Sequence, residues 1–248
     1  MGLEMAKSLV RSGVSVMLNG FGDSETAIEE VEKIARITSK DVKVDYHGAD
    51  MRKAEEIEDL IAAAERRLSG TLDIVINNAG IQHVAKVEEF PVQKWNDIID
   101  INLNSAFHTT RLTIPGMKKK NWGRIINIAS THGLVASAEK SAYVATKHGL
   151  VGFTKSIALE TARTGITCNA ICPGWVLTPL VEKQIEARAS EGGMTMGEAK
   201  ESLLAEKQPS VEFVKSEQLG ALVTFLCSDA ANEVRGAAWN MDGGWAAQ

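Results

Sequence analysis

The sequence predicts one α/β domain built on a doubly wound parallel sheet. Apolar runs and amphipathic helical stretches alternate from end to end. Several runs are rich in Val and Ile without alternating polar residues, as in strands buried on both faces. No repeat or low-complexity linker divides the 248 residues.

The first pattern is helical. Leu3, Ala6, Leu9 and Val10 form one stripe, and Gly13 stands where a helix end takes left-handed backbone. Strands are expected at 14–18, 42–46, 72–76, 124–129, 166–172 and 237–241. Between them, Ile28, Val31, Ile34 and Ala35 share one helical face, and Ile57, Leu60, Ile61 and Ala64 share another. Longer helices are expected over 92–118 and 141–162. Residues 185–207 are less regular: Gly192-Gly193 and Gly197 interrupt a polar stretch that reads equally as a lid over a site or a surface excursion. A doubly wound nucleotide fold normally opens with a strand and a Gly-rich turn that holds the cofactor pyrophosphate. The chain is expected to lack that first strand. Gly20-Phe21-Gly22 is no substitute for the turn, because the third glycine of the pattern would fall on Glu25.

Composition excludes several roles. A net charge of −5 with scattered Lys and Arg argues against a nucleic-acid partner, and Lys118-Lys119-Lys120 reads as a solvated helix end. No apolar run is long enough to cross a bilayer, and no signal peptide is evident. Ala6 stands where N-myristoylation would need Ser or Thr. A cytoplasmic protein is expected, with Cys168, Cys172 and Cys227 as buried thiols. No metal site is expected, since no Cys/His cluster has zinc spacing.

Chemistry concentrates around Tyr143 and Lys147. Four residues apart in a helix, they share a face. A free phenol has a pKa of about 10, and a nearby ammonium favours its ionised form. Ser130 falls at the end of a predicted strand, where ligands of such sheets bind.

Asn77-Asn78-Ala79-Gly80 after a strand, Ser130, Tyr143 with Lys147, and Pro173-Gly174 after a strand together resemble the short-chain dehydrogenase/reductase family over the whole chain. The resemblance implies a Rossmann-like fold and a catalytic tetrad of Asn102, Ser130, Tyr143 and Lys147. Tyr143 would shuttle the hydroxyl proton, Ser130 would orient the oxygen, Lys147 would bind the nicotinamide ribose and depress the Tyr143 pKa, and Asn102 would hold a relay water. Cofactor contacts would come from Asp50, Met51, Asn77, Ala79, Gly80, Pro173, Gly174, Val176 and Thr178, besides Tyr143 and Lys147. Asn19 stands where the family usually grips the adenosine ribose with Asp, and no Lys or Arg lies nearby for a 2′-phosphate, so NAD is expected over NADP.

Other segments resemble the bacterial branch of that family that oxidises D-3-hydroxybutyrate: residues 80–83, 128–133, 172–180, 204–209 and 242–245. That resemblance implies a small carboxylate held by Gln82, His132, Lys140 and Gln184, walled by Trp175 and Trp245. One ammonium with neutral donors suits a monocarboxylate. His47, His108 and His148 read as structural. The family implies a homotetramer packed through the two long helices and the C-terminus. The alternatives are a reductase of another 3-oxo substrate, such as a thioester, or a truncated, catalytically impaired chain serving as a binding or oligomer-forming protein.

Overall fold

The computed structural model describes residues 1–247. Its sheet is parallel throughout and comes in two pieces. Strands β1 (Val16–Leu18) and β2 (Val44–Tyr46) pair with each other. Strands β3 (Ile74–Asn77), β4 (Gly123–Ile128), β5 (Ile166–Pro173) and β6 (Ala238–Met241) follow in that spatial order. Among the described residues, no ladder joins β1 to β3. All six strands form within two residues of their expected limits.

Alternation along the central strands sorts their side chains between two helical layers. Ile126 and Ile128 of β4 and Ile171 of β5 face one cluster, filled by Met5, Leu9 and Val10 of α1 (Gly2–Arg11), Val31 and Ala35 of α2 (Ser24–Thr38), and Leu219, Val223 and Leu226 of α9 (Ser216–Cys227). Ile125, Cys168 and Ala170 face the other way. There they meet Met117 of α5 (Ser105–Lys120) and Leu150, Val151 and Ile157 of α6 (Ser141–Glu160). Helix α3 (Ala54–Arg67) lies against α5, burying Ile57, Leu60 and Ile61 with Met51 and Ala49.

Two expectations need correction. The helix expected over 92–118 is broken: α4 (Val92–Ile99) passes into a π-turn, Asp100–Asn104, before α5 begins. The wider turn carries Asn102 to 2% exposure, where its amide meets the backbone of Ile81. The irregular stretch at 185–207 is a helical hairpin, α7 (Pro179–Gly192) and α8 (Met196–Ala205). Gly193 ends α7 with φ of 60°, and Thr195 with Glu198 forms a capping box that starts α8. Val181, Ile185, Ala199 and Leu203 close the hairpin. Its regularity escaped the pattern because the apolar residues are few and the turn lies between two short stripes.

A polar chain runs through the second layer. Asn127 is fully buried; its Oδ1 accepts from Asn77 Nδ2 at 2.8 Å and its Nδ2 donates to Thr154 Oγ1 at 2.8 Å. Asn77 Oδ1 in turn accepts from Thr109 Oγ1 at 2.7 Å. The chain ties β3 and β4 to α5 and α6. Asn127→Ala strands two buried partners, so it should lower stability by roughly 2–4 kcal/mol. Urea unfolding measures this, and a loss below about 0.5 kcal/mol would show that the chain contributes little.

Candidate active site

The site lies beyond the carboxyl ends of β4 and β5. The backbone leaves β4 at Ile128 and turns at Ser130 into a short 3-10 helix, Thr131–Gly133. Ser130 Oγ accepts from the His132 N–H at 3.2 Å, which orients its hydroxyl. Thr131 Oγ1 donates to the Pro173 carbonyl at 3.1 Å and ties this turn to the end of β5. Helix α6 then brings Tyr143 and Lys147 over the turn. The Lys147 Nζ donates to the Ile128 carbonyl at 2.7 Å and lies 5.6 Å from the centre of the Tyr143 ring.

Burial governs the titration of both groups. It pulls the Lys147 ammonium down to about 8. It pushes the Tyr143 phenol up, while a hydrogen bond from Ser130 pulls the other way. The family resemblance implied a depressed Tyr143 pKa. In this structure desolvation outweighs the Ser130 bond, and the phenol is held in its neutral form.

A run of rings extends from Tyr143. His132 meets it edge-on at 5.9 Å, Trp245 meets His132 at 5.1 Å, and Trp175 stacks on Trp245 at 6.1 Å. The Lys140 Nζ lies 5.6 Å from the Trp175 ring centre. One wall therefore has a phenol at one end and an ammonium at the other. His132 Nε2 pairs with Ser137 Oγ at 2.9 Å. Desolvation first, then the charges of Lys140, Lys207 and His148, drives the His132 pKa down to about 4, so its imidazole is neutral over the physiological range. Lys140 is also lowered, by desolvation and then by Lys207. Lys207 is a second cation beside the wall that sequence reasoning missed; residues 204–209 carried the resemblance but suggested no role for it.

The other expected residues divide. Asn102 joins the site, but as a clamp. Its Oδ1 accepts from the Ile81 N–H at 2.8 Å, and its Nδ2 donates to the Ile81 carbonyl and to Thr146 Oγ1. Both amide hydrogens are thus taken by protein groups, so the side chain steadies the loop carrying Gly80 and Gln82 and is not available to donate to a relay water. Asn77 is likewise consumed by the core, leaving only its backbone to line a ligand. Met51 and Ala79 pack into the α3 core cluster. Val176 is buried in a bridge to Val214, and Thr178 Oγ1 caps α7 through the Val181 N–H. Gln184 opens onto a separate groove with Ala187, Arg188, Glu191, Gly192 and Met194. Among the described residues it makes no ring contact or hydrogen bond with the Tyr143 cluster.

Near the end of β1, Asn19 Nδ2 donates to the His47 and Ala49 carbonyls at 2.7 and 3.1 Å, tying β1 to the loop after β2. One expectation about this region changes, since that loop carries cations. Arg52 and Lys53 follow Asp50, but Arg52 forks onto Asp50 at 2.6–3.1 Å and reaches Asp97 at 3.6 Å, and Lys53 pairs with Glu56. The Arg52 bonds hold the Asp50 carboxyl at about 2. His47, His108 and His148 hydrogen-bond Asp59, Arg111 and the Val144 carbonyl respectively; of the three, His148 also acts on His132 through its charge. The three cysteines are free thiols, pushed up by burial to about 12, 11 and 12 for Cys168, Cys172 and Cys227.

Comparison with known proteins shows the family of the chain. The short chain dehydrogenase family model matches residues 1–189. The D-beta-hydroxybutyrate dehydrogenase of Cupriavidus necator is 61% identical over 247 residues, covering 100% of this chain and 94% of that protein. The enzyme of the same name from Rhizobium meliloti is 49% identical, covering 100% of this chain and 95% of its own. A solved actinorhodin polyketide ketoreductase with NADPH superposes with a TM-score of 0.87 at 34% identity, covering 99% of this chain and 93% of that one.

The neutral His132 gives a direct check. The folded-state pKa lies below the ordinary 6.5, so stability is complete above that value and declines as pH falls from 6.5 toward about 4. The His132 ring resonance in an NMR titration should keep its neutral position down to about pH 5. A midpoint near 6.5 would contradict the burial described here.

Proposed function

The chain belongs to the short-chain dehydrogenase family, and from that premise we propose that it oxidises D-3-hydroxybutyrate, the (R) enantiomer, reversibly to acetoacetate with NAD. The observation that carries the substrate is the ring wall, with the Tyr143 hydroxyl at one end and the Lys140 ammonium at the other. A phenol, a neutral imidazole and one ammonium along a single wall suit a substrate that carries both a hydroxyl and a carboxylate. The 61% identity to a D-beta-hydroxybutyrate dehydrogenase over the whole chain supports the same substrate.

The residues present fit a nicotinamide cofactor. Gly80 is exposed, and a β-carbon there would stand 3.4 Å from Lys147 Nζ and 3.5 Å from Asn102 Oδ1. Glycine thus keeps the surface beside the ammonium open to a close ligand. Lys147 would hold the nicotinamide ribose, the backbone of Asn77, Ala79 and Gly80 would line the cofactor, and residues from Pro173 to Thr178 would meet its carboxamide. Asp50 would meet the adenine. NAD, when bound, would supply the acceptor for the hydride of C3. The choice of NAD over NADP is supported by Arg52, whose guanidinium is already neutralised by Asp50 and so poorly placed to attract a 2′-phosphate.

Each protein group then has one task. Tyr143 takes the hydroxyl proton in oxidation and returns it in reduction. Ser130 bonds the substrate oxygen and, with the Lys147 charge, stabilises the developing alkoxide. Lys140 and His132 hold the carboxylate, with Gln82 beside them on the loop clamped by Asn102. Trp175 and Trp245 exclude larger acids. We also propose a cytoplasmic homotetramer: Val87, Val92 and Phe107 stand exposed on and near α4 and α5, and free thiols suit a reducing compartment. Among the described residues no helix is long and apolar enough to cross a membrane.

Tyr143→Phe should cut turnover by roughly 10²–10⁴-fold with the far-UV spectrum unchanged; near-normal activity would remove Tyr143 from the chemistry. Lys140→Ala should raise KM for D-3-hydroxybutyrate by roughly tenfold or more, and far less for a neutral secondary alcohol. Equal effects on both would take Lys140 out of the carboxylate site. Because burial keeps the Tyr143 phenol protonated at neutral pH, oxidation should accelerate as pH rises and acetoacetate reduction should not. Parallel pH–rate profiles in the two directions would be inconsistent with that assignment.

A further inference from the structure

Gln208 is a polar side chain with no exposed surface, at the junction of three segments distant in sequence. Its Oε1 accepts from the Trp175 N–H at 2.9 Å, in the loop after β5. Its Nε2 donates to the Glu212 carbonyl, closing the turn after α8. Its side-chain stem lies against Gly243, where a β-carbon would come within 2.6 Å of Gln208 Cγ and clash with Ser210 Oγ. Gly243 also has φ of 57°, so both space and backbone call for glycine there. At Gly174 a β-carbon would meet Gln208 Oε1 and would stand 2.9 Å from the Asp242 Cα. The surrounding backbone adds to the junction: Ser210 N donates to Gly243 O at 3.0 Å, Val214 N to Trp175 O at 2.9 Å, and Gly174 N to Met241 O at 2.9 Å.

The two rings of the substrate wall leave this junction on different segments. Trp175 follows Gly174 in the loop after β5. Trp245 follows Gly244, and its own N–H donates to the Asp242 carbonyl at 3.1 Å. They stack at 6.1 Å with an interplanar angle of 25°. The β5–β6 ladder ends at Pro173 and Met241, with the Gly174 N–H bond to Met241 as its last link; beyond it, the contacts of the two ring-bearing segments converge on one buried amide.

We propose that Gln208 is the positioning residue of the substrate wall: it holds Trp175 and Trp245 in register and thereby sets how small an acid the site accepts. The inference rests on the substrate reading above for its kinetic consequence, though not for its structural one. Gln208 touches neither substrate nor cofactor. It acts through the two tryptophans. A buried amide with both ends bonded specifies one arrangement of its neighbours, because any slip leaves a donor or acceptor without a partner.

The test uses the full-length protein with Gln208→Met, which keeps length and loses both bonds, and Gln208→Asn, which keeps the amide but shortens its reach. Near-UV circular dichroism reports the tryptophan pair, identified as the difference between wild type and Trp175→Phe. Both variants should lose most of that difference signal. Their KM for 3-hydroxybutyrate should rise about tenfold with kcat within about threefold, and their preference for it over 3-hydroxyhexanoate should fall about tenfold. A purely structural role would lower Tm and leave the substrate preference unchanged, and that outcome in either folded variant overturns the proposal. Should wild type fail to turn over 3-hydroxybutyrate, the substrate reading falls. The dichroism then judges Gln208 alone: a retained pair signal in the variants refutes it, and a lost one upholds it.

Discussion

A buried ammonium needs an acceptor, and the carboxyl end of a parallel strand has carbonyls beyond the last ladder bond. Lys147 and Ile128 solve both problems together: a 2.7 Å bond runs from α6 to the end of β4. That bond fixes the height of α6 above the sheet and its rotation. One turn before Lys147, Tyr143 is then carried over Ser130, which leaves the same strand two residues after Ile128. The placement of Tyr143 over Ser130 is therefore a by-product of satisfying one charge. The strand can offer this because β4 is buried along its whole length and has no freedom to shift.

From that fixed point the electrostatics run in one direction. Burial first, then the charges of Lys140, Lys207 and His148, keeps His132 neutral. Asp242, three residues before Trp245, accepts from the Gly244 and Ala246 amides. Lys140 and Lys207 thus lend positive charge to one end of the cleft, and burial partly desolvates Lys140. Charge stands at one end, ring packing runs along the wall, and a phenol stands at the other end.

The strands were legible because a fully buried parallel strand leaves an uninterrupted apolar run, and Tyr143, Ser130 and Lys147 were legible because they come in order at strand and helix ends. What escaped depends on contacts between distant segments. The π-turn arises because Asn102 reaches Ile81, which no period in the sequence records. Asn77 looks like a ligand contact in sequence, yet its amide is taken by Asn127 and Thr109. Arg52 went unnoticed as a cation near the nucleotide end because the reading stopped at the end of the first predicted strand, whereas the fold brings the loop after β2 beside it. Gln184 was carried over from resemblance and sits on a different groove. In each case residue type was informative and partner was not.

The turn at Asp100–Asn104 also has a meaning for sequence change. An α-helix advances about 100° per residue, so one residue gained or lost normally rotates everything beyond it. Here that extra residue is already present, accommodated where Asn102 faces inward. Removing one residue from this turn would let α4 and α5 fuse into a regular helix that is locally comfortable and globally out of phase. Insertions and deletions that surface loops absorb would therefore be filtered out at this point, although the segment looks in sequence like any other stretch of amphipathic helix.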